Sequence, residues 1–379
     1  MTVLFRTFCL SLGLLLALLG RPAGAVDTNA QQAMMIDYRT GAVLLQKRSD
    51  ELMAPSSMSK LMTLYLLFDA LKHGTVRLDD AFPVSEKAWR MGGSKMFVKV
   101  GDKVRVEDLI RGIIIQSGND ACVVVAEGLF HSEASFADAM TAKGVALGLK
   151  HSNFRNASGW PDPEHLMTAE DLVILARRLI ADFPEFYHYF GETEFTYNGI
   201  TQPNRNLLLE RNLGVDGLKT GHTESGGFGI VISGMRDGKR LILAINGLHS
   251  MKERIEEAGH LLDWGFRDYD NIVLFKSGEV VTEIPVWLGD KPQVAMSIDH
   301  GIEITLPKRS KSGLKVAVEM LSPIPAPFAK GAVIGKLVVS APEIETREYP
   351  LKAVEGVDRL GFFGRLVAAF KYVVWGPNG

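Results

Sequence analysis

Ser57-Met58-Ser59-Lys60, Ser117-Gly118-Asn119 and Lys219-Thr220-Gly221 lie on three distant segments of this chain. If they form one site, the fold must bring a helix start, a turn and a strand end to a single point, and few architectures do so. Ser57 and Lys60 stand one helical turn apart on one face, so the amine can reach the hydroxyl. A serine hydroxyl is a poor nucleophile until a neighbouring base takes its proton. Lysine can be that base only if burial and a nearby like charge lower its pKa, and Lys219 is the candidate for that charge. A helix start at Ser57 would also present backbone N–H groups to developing negative charge.

Each motif also has a plain structural reading. Pro55-Ser56-Ser57 suits a helix N-cap, Ser117 to Asn119 suits a turn closed by an Asx-type hydrogen bond, and Lys219-Thr220-Gly221 could be a strand end. Ser312-Gly313-Leu314-Lys315 repeats the first spacing with no companions. Order and separation favour one site. In it, Ser117 relays a proton between Lys60 and a leaving amine, and Asn119 orients Lys60 and a substrate amide. Lys219 and Thr220 bind a substrate carboxylate, and Gly221 lets a ligand approach the backbone.

The N-terminus has the form of a secretory signal: Arg6, an apolar run from Leu10 to Leu19, Pro22, and Ala23-Gly24-Ala25 as a cleavage site. The run is short of the roughly 20 residues of a spanning helix, so residues 1–25 are expected to be removed; a membrane anchor is the alternative. Cys9 lies inside the run, which argues against a lipoprotein. The remaining chain holds one cysteine, Cys122, so no intramolecular disulfide can form, and the thiol is expected to be a buried small hydrophobe. A net charge of -2 with mixed signs gives no reason to expect nucleic acid as a partner. Nothing in the motifs calls for a cofactor or metal.

Ala33 to Tyr38 and Ala42 to Gln46 read as strands around the turn Arg39-Thr40-Gly41. Met58 to Leu71 has apolar residues at helical spacing. Thr168 to Asp171 resembles a capping box opening a helix that runs to Ile180. Phe228 to Met235 and Arg240 to Asn246 flank Asp237-Gly238, a strong hairpin signal. Lys252 to Trp264 reads as a helix ended by Gly265. Strands at both ends with helices between predict an α+β domain, residues 26–269, whose terminal segments share one antiparallel sheet. Short β-rich runs then predict a small all-β domain over 270–354, with strands near 280–287, 301–306, 314–320 and 332–339.

Residues 355–379 form the tail. From Val357 to Trp375, Leu360, Phe363, Val367, Phe370 and Val374 recur at helical spacing, with Asp358, Arg365 and Lys371 mainly opposite. Tyr372 and Trp375 suit a headgroup layer, so an amphipathic helix lying in a membrane surface is expected; the alternative is a helix docked on its own domain.

The sequence resembles the D-alanyl-D-alanine carboxypeptidases, low-molecular-mass penicillin-binding proteins of the type-5/6 kind in serine peptidase family S11. The resemblance is carried by Ala54 to Lys60, Gln116 to Cys122, Asn204-Arg205-Asn206 with Leu207-Leu208, Asp216 to Thr223 and Leu261 to Phe266. It implies a β-lactamase/transpeptidase-like domain and removal of the terminal D-Ala from peptidoglycan pentapeptides. Ser57 would be acylated by the penultimate D-Ala carbonyl, with Lys60 as base. The backbone N–H groups of Ser57 and His222 would form the oxyanion hole, and Arg205 and Arg254 would help Thr220 hold the terminal carboxylate. It also implies acylation by β-lactams and, with the signal and tail, a place on the periplasmic side of the inner membrane. The Ser-Gly-Asn motif, in place of Ser-Asp-Asn, is the form of this carboxypeptidase group.

Two other classes share these motifs. A class A β-lactamase needs a Glu-x-x-Leu-Asn setting to activate its deacylating water; between Asn119 and Lys219 there is none, and Glu164 is followed by His165-Leu166-Met167-Thr168. A non-catalytic penicillin- or wall-binding module would not be expected to keep the whole set. Endopeptidase action on cross-links would use the same site and stays open.

Overall fold

A computed structural model of the chain describes residues 26–320 and 322–375; the expected signal segment, with its cleavage site at Ala25, lies outside them. Gln32–Asp37 and Val43–Lys47 form the first antiparallel hairpin. Asp237 and Gly238, both at positive φ, close a second between Gly227–Arg236 and Lys239–Leu248. These strands and Val215–Thr223 make one five-stranded antiparallel sheet. Its spatial order is 43–47, 32–37, 239–248, 227–236, 215–223. The first and last strands of the region therefore lie side by side, Ala33 opposite Ile245, as their placement predicts. The strand carrying Lys219 takes an outer edge.

Alternation along the strands supplies two cores. Met34, Ile36, Val231, Ile242 and Ala244 face the helices Lys60–Lys72, Asn119–Phe130 and Ala169–Asp182. Met35, Ile232, Leu243 and Ile245 face the helix Met251–Asp268 through Leu261, Leu262 and Trp264. Each large apolar side chain so buried contributes about 1.5–3 kcal/mol. Ala121 to Ala126 are fully buried, which makes Asn119–Phe130 the helix around which the others pack. Burial pushes the Cys122 thiol up to about 12, so it stays protonated and inert.

Several boundaries differ from expectation. Ser56–Ser59 is a 3-10 turn, and the α-helix begins only at Lys60. The last helix of this domain continues past Gly265 to Asp268. A Cβ at Gly265 would lie 2.6 Å from Met35 Sδ and 2.8 Å from Leu241 Cδ1, so this glycine lets helix and sheet approach rather than ending the helix. Thr168 Oγ1 accepts from Asp171 N at 3.1 Å, which is half of the expected capping box. The Asp171 carboxylate instead accepts from Lys150 N, His151 N and Ser152 Oγ.

The β-rich region forms a six-stranded sheet and a two-stranded one, the latter pairing Tyr269–Phe275 with Ile302–Pro307. It has its own core, including Ile284, Met296, Ile304, Leu337 and Leu351. The Arg39-Thr40-Gly41 turn docks against it. Arg39 Nη1 pairs with Glu303 at 3.1 Å, Thr40 Oγ1 lies 2.6 Å from Thr305 Oγ1, and Asn271 Nδ2 donates to the buried Asp37 carboxylate at 2.9 Å.

The tail helix spans Phe362–Trp375 and not the whole of 357–375. Val357 is buried in the β domain, where it bridges to Phe328, and Leu360 N donates to Leu288 O. Phe362, Phe363, Leu366, Val367, Phe370 and Val374 are each at least half exposed. Among the described residues, no helix is long and apolar enough to cross a membrane.

Candidate active site

Ser57 stands on the 3-10 turn, half-buried, and the residues at the starts of turn and helix, Pro55 and Ser59, make no side-chain cap bond. The N-cap reading of Ser57 does not hold. Ser59 Oγ donates to Ser56 O at 3.0 Å and Ser56 Oγ to Thr223 Oγ1 at 3.0 Å, which ties the turn to the end of the Lys219 strand.

Lys60 is fully buried. Its Nζ donates to Ser57 Oγ at 2.8 Å, Asn119 Oδ1 at 2.7 Å and Ser158 O at 2.5 Å. The Asn119 amide is oriented by Nδ2 donating to Gly92 O at 2.8 Å, so its oxygen faces the lysine. This set of partners has a chemical consequence. Asn119 Oδ1 and Ser158 O can only accept, so a neutral amine gives them its two protons and turns its lone pair to the Ser57 hydroxyl. Burial pushes the Lys60 pKa down to about 8, which puts the neutral form within reach near neutrality.

Ser117 lies in the turn before the Asn119 helix at φ 57°, a left-handed conformation that costs a non-glycine residue about 1–2 kcal/mol. Its Oγ accepts from Lys219 Nζ at 2.9 Å, and Lys219 also donates to Thr220 O at 3.2 Å. The turn is held by Asp120, whose carboxylate accepts from Met96 N, Phe97 N and Val98 N. Lys219 is buried, and its pKa is lowered well below the usual lysine value by burial first and then by the Lys60 charge. The sequence reading gave Lys219 charge a part in depressing Lys60. Burial is the cause at Lys60, and the repulsion registers on Lys219 instead.

The Lys219 strand is fixed from behind. Arg240 makes a two-pronged pair with Asp216, at 2.6 and 2.8 Å, and Tyr187 donates its hydroxyl to the same carboxylate. A Cβ at Gly221 would lie 2.9 Å from Pro55 O and 3.1 Å from Met58 Cγ. The absent side chain thus lets the strand lie against the Ser57 turn. Thr220 is buried, and the exposed His222 ring stacks on Phe228 at 3.9 Å.

The two arginines are placed differently. Arg254 is buried, with Nη1 donating to Gly221 O at 3.3 Å, and burial lowers it to about 10. Arg205 is exposed, bonded to Gln202 Oε1 at 3.3 Å, and its charge acts on Lys219. The structure therefore makes two hydrogen-bonded groups, Ser57–Lys60–Asn119 and Ser117–Lys219, close enough for the Lys60 charge to act on Lys219, with Thr220, Gly221 and His222 following Lys219 on its strand. Arg254 sits against the strand and Arg205 at the rim.

Ser57 opens into a cleft of about 740 Å³ whose lining includes Gly93, Asn119, Trp160, Pro161, His222 and Glu224. Sequence reasoning missed the 156–161 loop, including the Ser158 carbonyl on Lys60. A backbone carbonyl leaves no mark in a sequence. The available signal was the aperiodic Ser158-Gly159-Trp160-Pro161-Asp162-Pro163 between amphipathic segments, too polar and turn-rich to be core. Among the described residues, no group of three or more His, Cys, Asp or Glu side chains could hold a metal ion.

A mixed sheet-and-helix layer with a Ser–Lys pair at its edge, followed by an all-β domain and a short helix, defines the transpeptidase-like class. Within that class the chain belongs to the D-alanyl-D-alanine carboxypeptidase family Peptidase_S11, which residues 21–249 match. Residues 269–359 match the C-terminal domain of penicillin-binding protein 5. Its activity class is accordingly that of EC 3.4.16.4. The chain is 37% identical over 350 residues to D-alanyl-D-alanine carboxypeptidase DacC of Escherichia coli, covering 90% of this chain and 88% of that one. Penicillin-binding protein 5 from Haemophilus influenzae superposes with a TM-score of 0.80 at 35% identity, covering 89% of this chain and 99% of that one. Penicillin-binding protein D2 from Listeria monocytogenes, solved in an ampicillin-bound form, matches with a TM-score of 0.59 at 26% identity. That match covers 64% of this chain and 99% of the other.

Proposed function

We propose that this carboxypeptidase works through a Ser57 acyl-enzyme formed on peptidoglycan pentapeptides ending in D-Ala-D-Ala. The observation that carries the reading is the pair of carbonyl acceptors, Asn119 Oδ1 and Ser158 O, which leave the Lys60 lone pair to Ser57. Lys60 takes the hydroxyl proton as Ser57 attacks the penultimate D-Ala carbonyl. The oxyanion is received by the backbone N–H groups of Ser57 and His222. Ser117, bonded to Lys219, passes the proton to the leaving amine, and terminal D-Ala departs. Lys219 and Thr220, with Arg254 and Arg205 adding positive charge, hold its carboxylate. Gly221 keeps the strand close enough for His222 to reach the oxyanion, and the substrate adds to the open strand edge. Lys60 then activates the water that releases the tetrapeptide.

β-Lactams acylate the same serine in this reading and leave slowly. Glu164, the nearest sequence candidate for a deacylating base, has a side chain 71% exposed that pairs with Arg155, which supports a carboxypeptidase over a β-lactamase. Residues 26–269 form the catalytic domain and 270–354 the β domain, with residues 355–360 packed onto the latter and the 362–375 helix as a peripheral membrane anchor. With residues 1–25 as an export signal, the enzyme acts at the periplasmic face of the inner membrane.

The test is to label the purified protein with a tagged penicillin, map the modified residue, and follow D-Ala release from a D-Ala-D-Ala peptide. Label on Ser57, with both activities lost in Ser57→Ala, is expected. Label elsewhere, or rapid penicillin turnover, would sink the assignment.

A further inference from the structure

Of the two carbonyl acceptors on Lys60, Asn119 Oδ1 comes from a helix, whereas Ser158 O lies in the 156–161 loop, outside any helix or strand. The position of that carbonyl therefore depends on what grips the loop. The grip is on Ala157, the residue before it, which is fully buried. Thr63 Oγ1, on the helix that begins with Lys60, donates to Ala157 O at 2.6 Å. Ala157 N donates to Glu133 Oε1 at 3.1 Å. Both backbone polar groups of Ala157 are thus satisfied by side chains from two other elements.

Glu133 is the first residue of the helix Glu133–Leu147, and its side chain is only 10% exposed. A carboxylate so buried is costly unless partners meet both oxygens. Its Oε2 pairs with Lys87 Nζ at 2.7 Å. Lys87 lies on the short helix Glu86–Arg90, just before the turn whose Gly92 O orients the Asn119 amide. One carboxylate therefore joins the loop that supplies one acceptor of Lys60 to the segment that orients the other. Lys87 is 56% exposed, so that ion pair contributes little and the bond to Ala157 is the stronger arm. We infer that Glu133 is a positioning residue for acyl transfer: through Ala157 it holds the Ser158 carbonyl against Lys60, so that the amine keeps its lone pair on Ser57. It touches no reacting atom. A carboxylate charge acts on Lys60 from Asp120, and what Glu133 provides is reach. The inference rests on the proposed Ser57 acyl-enzyme with Lys60 as base.

The test follows single-turnover labelling of the purified protein by a tagged penicillin, giving a limiting rate and a half-saturating concentration. Glu133→Asp keeps the charge but draws the carboxylate back from Ala157. Its limiting rate should fall about 10²-fold, the effect of a small misplacement at a reacting centre. The half-saturating concentration should stay within about twofold of native, because the Lys219 strand is untouched. Glu133→Gln keeps the reach and an acceptor for Ala157 N, so its limiting rate should stay within about fivefold of native. Thr63→Val removes the other tie on Ala157 and should slow labelling as Glu133→Asp does; it decides the matter if Glu133→Asp does not fold. Slow Glu133→Gln beside native-like Glu133→Asp would assign the effect to charge and overturn the inference. So would a rise in half-saturating concentration that accounts for the whole loss. Native label on Ser57 with unchanged rates in Glu133→Asp and Thr63→Val removes this inference alone, whereas native label on another residue removes the acyl-enzyme reading beneath it.

Discussion

Lys219 Nζ donates to Ser117 Oγ at 2.9 Å, joining an edge strand to a left-handed turn 102 residues earlier in the chain. Two requirements meet at Ser117: a hydroxyl for the buried lysine, and a backbone conformation that glycine adopts more easily. Substitution separates them. Ser117→Ala and Ser117→Gly should both reduce D-Ala release, by about 10²- to 10⁴-fold, because both remove the hydroxyl proposed as the proton relay. Ser117→Gly should nevertheless be the more stable of the two by about 1 kcal/mol, since it relieves the positive φ. Steady-state kinetics and denaturant unfolding read the two effects independently.

Lys60 sets the pH profile. In the proposed mechanism its neutral form is the base, and burial places its pKa at about 8, so the competent fraction falls about tenfold per pH unit below that value. kcat/KM should rise through about pH 8 and then level off. In Lys60→Arg the rise should vanish along with nearly all activity, because guanidinium stays protonated. Linkage gives the accompanying stability trend. The unfolded lysine, near 10.5, binds its proton more readily than the folded one, so this group removes stability as pH drops from about 10.5 to about 8 and no further below that.

Gly221→Ala should act through the turn that carries Ser57. The new methyl would stand 2.9 Å from Pro55 O and 3.1 Å from Met58 Cγ, so strand and turn must move apart. The expected cost is about 1–3 kcal/mol in stability. The rate of penicillin labelling should fall as well, because Ser57 moves relative to Lys60 and His222. Unchanged labelling would show that the turn yields without disturbing the nucleophile.

The position of Val357 decides where the tail can be cut. Removing residues 361–379 leaves Val357 and Leu360 on the β domain, so stability and peptide hydrolysis should be retained while binding to anionic vesicles is lost in a flotation assay. Removing residues 355–379 deletes Val357 from the β-domain core and should destabilise that domain by about 1–3 kcal/mol. Continued vesicle binding by the shorter deletion would exclude the helix as the anchor.

Legibility in the sequence followed the range of the interaction. The two hairpins, the Thr168-capped helix and the partition into α+β and all-β regions rest on local periodicity and turn chemistry, and they are present as expected. The motifs foretold which side chains meet because those side chains themselves make the contacts, Lys60 with Ser57 and Asn119, and Lys219 with Ser117. What escaped depends on non-local packing. Gly265 looks like a helix terminator until Met35 and Leu241 are seen against it, and Val357 looks like the start of an amphipathic helix until Phe328 is found opposite. Ser158 contributes its backbone carbonyl, a group every residue has, so only the fold distinguishes it.

The strand pairing of Ala33 with Ile245 also bears on the timing of folding. Strand 32–37 is among the first parts of the described chain to be synthesised, yet one of its two sheet neighbours lies more than half the chain away. The sheet beneath Lys219 cannot close until that distant hairpin exists, and such non-local pairing is slow. Nascent chains should thus stay open through most of their synthesis, a state that holdase chaperones and unfolded-chain secretion machinery can engage. The same delay leaves the Ser117–Lys219 pair unassembled until the sheet is complete.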